Sequence, residues 1–127
     1  MKISKILFSI ICNFFFSLSS PAQEKDTLIN SARFFMENGE YTMAIPLLQK
    51  YSLQFPGEFL PYELIGDCFL ETNAFGKAIT NYLKSLKLNP DLFRLGYKLG
   101  SAYDILGKSD SAVYFFRKCL SSDPNSA

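Results

Sequence analysis

The 127-residue chain contains no histidine and no tryptophan. Without histidine it lacks the one side chain that titrates near neutrality unperturbed, which is also the commonest general base and metal ligand. Its three cysteines, Cys12, Cys68 and Cys119, never stand in a CxxC spacing. Asp and Glu do not cluster at ligand spacing either, so no metal site is expected. A phosphate-cradling glycine loop and a nucleophile–base pair are also missing. The expectation is a non-enzyme with no cofactor and no small-molecule substrate. The net charge of +1 is too close to zero to argue for nucleic acid or an anionic membrane as partner. The length limits the chain to one domain. Its 48% hydrophobic and 20% charged residues exclude a disordered chain.

What is present begins with a targeting signal. Lys2 and Lys5 precede a mostly apolar run, Ile6 to Leu18, and Ser19-Ser20-Pro21-Ala22 follows with small residues before Gln23. That order is the n-, h- and c-region order of a secretory signal peptide, expected to occupy 1–22 and to be cut after Ala22. The run is shorter than the roughly 20 residues a membrane span needs. The rival is an uncleaved N-terminal anchor, which is the one route by which a membrane would be a partner. Cys12 lies in mid-run behind Ser9-Ile10-Ile11, which does not suit a lipidation site. Gln23 after the cut resembles exported bacterial proteins, so the expected location is the periplasm, the outer envelope or the outside of the cell.

The rest is periodic. Pro56, Pro90 and Pro124 are spaced by 34, and so are Ala44, Ala78 and Ala112. Ile45, Ile79 and Val113 follow the alanines; Phe35, Phe69 and Tyr103 recur in the same phase, as do Leu48, Tyr82 and Phe116. The units are 25–58, 59–92 and 93–126, in a domain spanning 25–126. Each reads as two amphipathic helices. Gly39, Asn73 and Gly107 suit the left-handed turn that closes the first helix, and the prolines end the second. Small residues (Ala32, Gly66, Gly100 and the three alanines) let two backbones approach, while the aromatic and aliphatic positions fill the space beside them. A helix pair this short cannot bury its apolar face alone, so neighbours must stack. Pro46 departs from the pattern. Its expected place is near the first turn of a helix that starts no earlier than Thr42.

These residues resemble the tetratricopeptide repeat, whose pattern is W-x2-L-G-x2-Y, then A-x3-F, then P. The second unit has Tyr62, Ile65-Gly66, Phe69, Ala78, Tyr82 and Pro90. The third has Leu99-Gly100, Tyr103, Ala112, Phe116 and Pro124, with Gly96 in place of the large first residue. The first unit is the weakest. The resemblance implies an all-α, right-handed solenoid of three antiparallel helix hairpins whose first helices line a concave groove for a protein or peptide partner.

Family geometry implies which residues face that groove. They are Asp26, Ile29, Asn30, Arg33, Met36 and Glu37 in the first unit, and Leu60, Glu63, Leu64, Asp67, Leu70 and Glu71 in the second. In the third they are Arg94, Tyr97, Lys98, Ser101, Asp104 and Ile105. Arg94 and Lys98 lie one turn apart and can grip an anion, beside an acidic ridge of Glu63, Asp67 and Glu71. Two readings stand: the charges select a partner, or the basic and acidic rows pair with each other across repeats. The carboxylate clamp of chaperone-binding relatives is not expected, because Ile29, Arg33 and Leu64 replace its Lys and Asn residues. Cys68 and Cys119 fall at small-residue slots and are expected as thiols. Val113, Phe116 and Leu120 are expected near an open C-terminal end. That leaves a second functional reading, in which self-association or assembly occurs through that end, or the chain is the N-terminal part of a larger envelope sensor or scaffold.

Overall fold

The computed structural model describes residues 19–122 and 125. Most of the expected signal segment, 1–18, lies outside the described residues, as does Pro124. Six helices follow in order: α1 Pro21–Glu37, α2 Tyr41–Gln54, α3 Leu60–Glu71, α4 Phe75–Leu88, α5 Leu92–Ile105 and α6 Ser109–Ser121. Each packs mainly on its sequence neighbours. The result is an all-α solenoid of three hairpins, α1–α2, α3–α4 and α5–α6, with no strand among the described residues.

Each hairpin turns in the same way. Gly39, Asn73 and Gly107 have φ of 75°, 59° and 70°. The next amide reaches back to the first helix: Glu40 N to Phe35 O and Ala74 N to Phe69 O, both 2.8 Å, and Lys108 N to Tyr103 O, 2.9 Å. This six-to-one closure satisfies carbonyls that the helix end leaves open. Asn73 adopts the left-handed conformation as glycine does elsewhere, because its short amide side chain tolerates it.

Proline begins some helices and ends others. Pro21 and Pro61 sit in the first turns of α1 and α3, where a missing N–H costs little. Ser20 caps α1, its Oγ accepting from Gln23 N at 3.2 Å. The expected cut after Ala22 therefore falls inside the first turn of α1. Pro56 and Pro90 follow the ends of α2 and α4, where Phe55 and Asn89 have left the helical region.

Pro46 is a correction. α2 starts at Tyr41, one residue before Thr42, and Pro46 is an interior residue. It occupies the sixth helical position, so the Thr42 carbonyl loses its i+4 N–H donor. Both residues are exposed, so water can replace the lost bond.

The core is two linked clusters. Ala32, Ala44, Leu48, Ile65 and Cys68 form the first; Ala78, Ile79, Tyr82, Leu95, Leu99 and Ala102 form the second. Phe69 packs against both. The pairing of small and large residues is a contact requirement. A Cβ on Gly66 would stand 2.5 Å from the Tyr82 ring, and one on Gly100 would stand 2.5 Å from the Phe116 ring. Gly96 has its own reason to be small: a Cβ there would lie 2.8 Å from Cys119 Cβ, so α5 and α6 approach closely at that point.

Candidate functional site: a groove across the first helices

The central feature is a charge network between α3 and α5. Glu63 Oε2 accepts from Arg94 Nη2, and Glu63 Oε1 accepts from Lys98 Nζ at 3.2 Å. Lys98 Nζ also donates to both oxygens of Asp67, at 2.7 and 2.9 Å. The Glu63 side chain is only 6% exposed. A carboxylate so buried needs paired cations and hydrogen bonds to offset lost hydration, and it has two cations. The basic and acidic rows thus pair across the repeat boundary. Glu63 is not an open groove residue, and Arg94 and Lys98 are already engaged.

Tyr82 extends the network from below. Its ring is fully buried against Gly66, and its hydroxyl donates to Asp67 Oδ1 at 2.7 Å. Burial, then the nearby Asp67 charge, pushes the phenol well above its ordinary range. Cys68 is fully buried in the first cluster. Burial, with Asp67 next, raises its thiol to about 11. A thiol held protonated in this way is a poor nucleophile, so Cys68 fills core space. Cys119, also a thiol, is half-buried.

What stays open lies further along the same helices. A cavity of about 490 Å³ is lined by Met36 and Glu37 of α1, Tyr41 of α2, Asp67, Leu70 and Glu71 of α3, and Lys98 of α5. It crosses all three hairpins. Glu37 and Glu71 are exposed at its rim, while Met36, Tyr41 and Leu70 are half-buried. Arg33 and Tyr97 are exposed, and Leu60, Leu64 and Ser101 are half-buried; none of these five lines the cavity. Leu64 instead packs on the first cluster. Among the described residues no three His, Cys, Asp or Glu side chains could hold a metal together.

Two participants are absent from the groove positions named from sequence. Tyr41 opens α2, and its counterparts Phe75 and Ser109 show that an aromatic is tolerated rather than required there. Tyr82 stands where the other units have Leu48 and Phe116. It is the one member of that set with a hydroxyl, and that was the available signal.

Profiles described as TPR repeat and Tetratricopeptide repeat match residues 66–107 and 94–126. The chain is a tetratricopeptide-repeat protein. Superkiller complex protein 3 of Homo sapiens is 26% identical to it over 95 residues, which is 75% of this chain but 6% of that protein. This tetratricopeptide chain thus spans a small part of that curated relative. Among solved structures, MamA (41-end) from Desulfovibrio magneticus RS-1 superposes with a TM-score of 0.71 at 19% identity, over 76% of this chain and 54% of that one. The second TPR of Spaghetti (RPAP3), bound to the HSP90 peptide SRMEEVD, superposes with a TM-score of 0.74 at 18% identity, over 80% of this chain and 94% of that one. At these identities the structural likeness is one of fold.

Proposed function

We propose that this protein is a non-catalytic interaction module that binds a peptide or an exposed segment of a partner protein in the groove across α1, α3 and α5. One observation carries the reading: the cavity crosses three hairpins, with apolar Met36 and Leu70 inside and the exposed carboxylates of Glu37 and Glu71 at its rim. A peptide of matching chemistry would place an aliphatic side chain between Met36, Tyr41 and Leu70 and basic side chains near Glu37 and Glu71. Support for a peptide occupant also comes from the second TPR of Spaghetti, which is bound to the peptide SRMEEVD.

That peptide is acidic, and here the sign should reverse. Arg94 and Lys98 are neutralised by Glu63 and Asp67, so an acidic peptide would have to break a half-buried ion network to bind. Peptides selected on the full chain from a random library should therefore be enriched in Lys or Arg next to an aliphatic residue. Their affinity should fall at least tenfold in Glu37→Lys/Glu71→Lys, with no change in thermal midpoint, and SRMEEVD should not bind. Selection of acidic peptides, or of peptides indifferent to the double variant, would overturn the reading.

We further propose that the chain is exported and cut after Ala22. The basic start, the apolar run and the small residues before Gln23 support this. N-terminal sequencing of protein from the native envelope should begin at Gln23; an intact Met1 would count against it.

A further inference from the structure

The helical charges are segregated by layer. The first helices, α1, α3 and α5, carry seven carboxylates and four cations. The second helices, α2, α4 and α6, carry six cations, Lys50, Lys77, Lys84, Lys87, Arg117 and Lys118, and one carboxylate, Asp110. A net charge of +1 conceals this division. All six cations are exposed. Their pairing differs as well. Lys25, Arg94 and Lys98 of the first helices are held by Glu58, Glu63 and Asp67. On the second helices only Lys50 has a carboxylate partner among the described residues, Glu24 at 3.4 Å.

One cation keeps the phase of the repeat. Lys50, Lys84 and Lys118 are spaced by 34, so they form a row that runs from hairpin to hairpin. On α4, Lys77, Lys84 and Lys87 share one side, opposite the buried Ala78, Ile79, Tyr82 and Ser85. That side stays open although α5 is packed on α4. It is therefore the outer surface of the stack, not one of its ends. Lys84 and Lys87 there line a cavity of about 350 Å³ with Pro56, Tyr62 and Leu88.

Apolar side chains stand between the cations. Met43, Leu53, Leu83, Leu88 and Tyr114 are exposed on the same helices, Leu53 to 83%. The mixture narrows the partner. A soluble polyanion would pair with the lysines and leave these side chains in water. A protein would need a separate pocket for each, because they are scattered singly over three helices. The interface of an anionic bilayer accepts both kinds: amines sit at the headgroup phosphates, and leucine and tyrosine side chains enter the boundary below them. We propose that the outer face of α2, α4 and α6 rests on an anionic lipid bilayer through Lys50, Lys84, Lys87, Arg117 and Lys118, with Leu53, Leu88 and Tyr114 entering its interface. The carboxylate-rich first helices then face water, and the groove stays open.

The chain has no tryptophan, so a single introduced one reports its own surroundings. In the full chain, Leu53→Trp and Leu88→Trp report the outer face. Tyr97→Trp, at a position 65% exposed on α5, reports the layer of first helices. On vesicles of equal parts phosphatidylglycerol and phosphatidylcholine, emission from both outer-face reporters should shift to the blue and be quenched by lipids brominated in their acyl chains. Tyr97→Trp should show neither change, and pure phosphatidylcholine should leave all three unchanged. Adding Lys84→Gln/Lys118→Gln should raise the lipid concentration at half-quenching about 25-fold, roughly fivefold for each cation lost. The thermal midpoint should not move. Every variant keeps residues 1–22, so insertion of that segment alone does not produce this pattern. Quenching of Tyr97→Trp, outer-face reporters unmoved by anionic vesicles, or quenching indifferent to the double variant would overturn the proposal. Heparin binding that the double variant abolishes, with vesicles leaving the reporters unmoved, would assign the face to a soluble polyanion and also overturn it.

Discussion

The hydroxyl of Tyr82, on the second helix of the middle hairpin, donates to the carboxylate of Asp67 on its first helix at 2.7 Å. The same carboxylate accepts from Lys98 on the next hairpin. One buried phenol thereby ties the packing inside a repeat to the ion network between repeats. Removing it with Tyr82→Phe keeps the ring and the contact with Gly66. A loss of about 1.5–3 kcal/mol is expected, the range for a hydrogen bond to a charged acceptor. Urea unfolding with an unchanged m-value checks this.

Reversal of Lys98 should cost more. Lys98→Glu would place a third carboxylate beside Glu63 and Asp67, with Glu63 nearly buried. Breaking a buried pair in this way costs roughly 3–5 kcal/mol, and Arg94 offsets only part of that. Circular dichroism melting should show a large fall in midpoint. For this reason Glu37 and Glu71, and not Arg94 and Lys98, are the informative positions for testing partner binding.

Two glycines of the middle hairpin should respond in opposite ways. Gly66→Ala drives a methyl to 2.5 Å from the Tyr82 ring, and overpacking of this kind costs roughly 1–3 kcal/mol. Gly76, in the first turn of α4, has open space around its Cβ position. Gly76→Ala should be neutral or stabilise by up to about 1 kcal/mol. Equal destabilisation by both would contradict the packing described.

Stability should decline in alkali. Cys68 ionises near 9.0 in the unfolded chain and near about 11 in the folded one; Tyr82 is likewise raised above 10.0. Above pH 9 the unfolded state has shed protons that the folded state retains, so stability falls as pH rises. The midpoint should be level below pH 9 and drop beyond it, Cys68 contributing roughly 2–3 kcal/mol by about pH 11. Cys68→Ala should move the onset of the decline upward by about one pH unit, toward the ordinary phenol value. Melting curves taken between pH 7 and 11 would read this directly.

The sequence was legible where the governing energy is local. The 34-residue phase, the helix-ending prolines and the left-handed residues Gly39, Asn73 and Gly107 are choices made within a few residues of each other. Pro46 was misread because a helix interior normally rejects proline. Here the lost bond lies on an exposed face of a helix held by Ala44, Leu48 and Tyr51, all buried. Tyr41 left no periodic trace, and the hydroxyl of Tyr82 was overlooked in a position otherwise read as core.

By itself, then, the sequence determined that this chain is three stacked helix hairpins and where each turns, because backbone preference and apolar periodicity are written locally. Only the tertiary structure decided which charges are consumed and which remain for a partner. Glu63, Asp67 and Glu71 look alike as a four-residue-spaced ridge. In the folded stack the first is buried and paired with Arg94 and Lys98 of α5, the second is paired with Lys98, and the third is left at the cavity rim. Ile79 and Val113 are equivalent in the repeat, yet one lies under α5 and the other faces outward. Burial and charge pairing depend on what stands across the interface, and that is a property of the assembled stack.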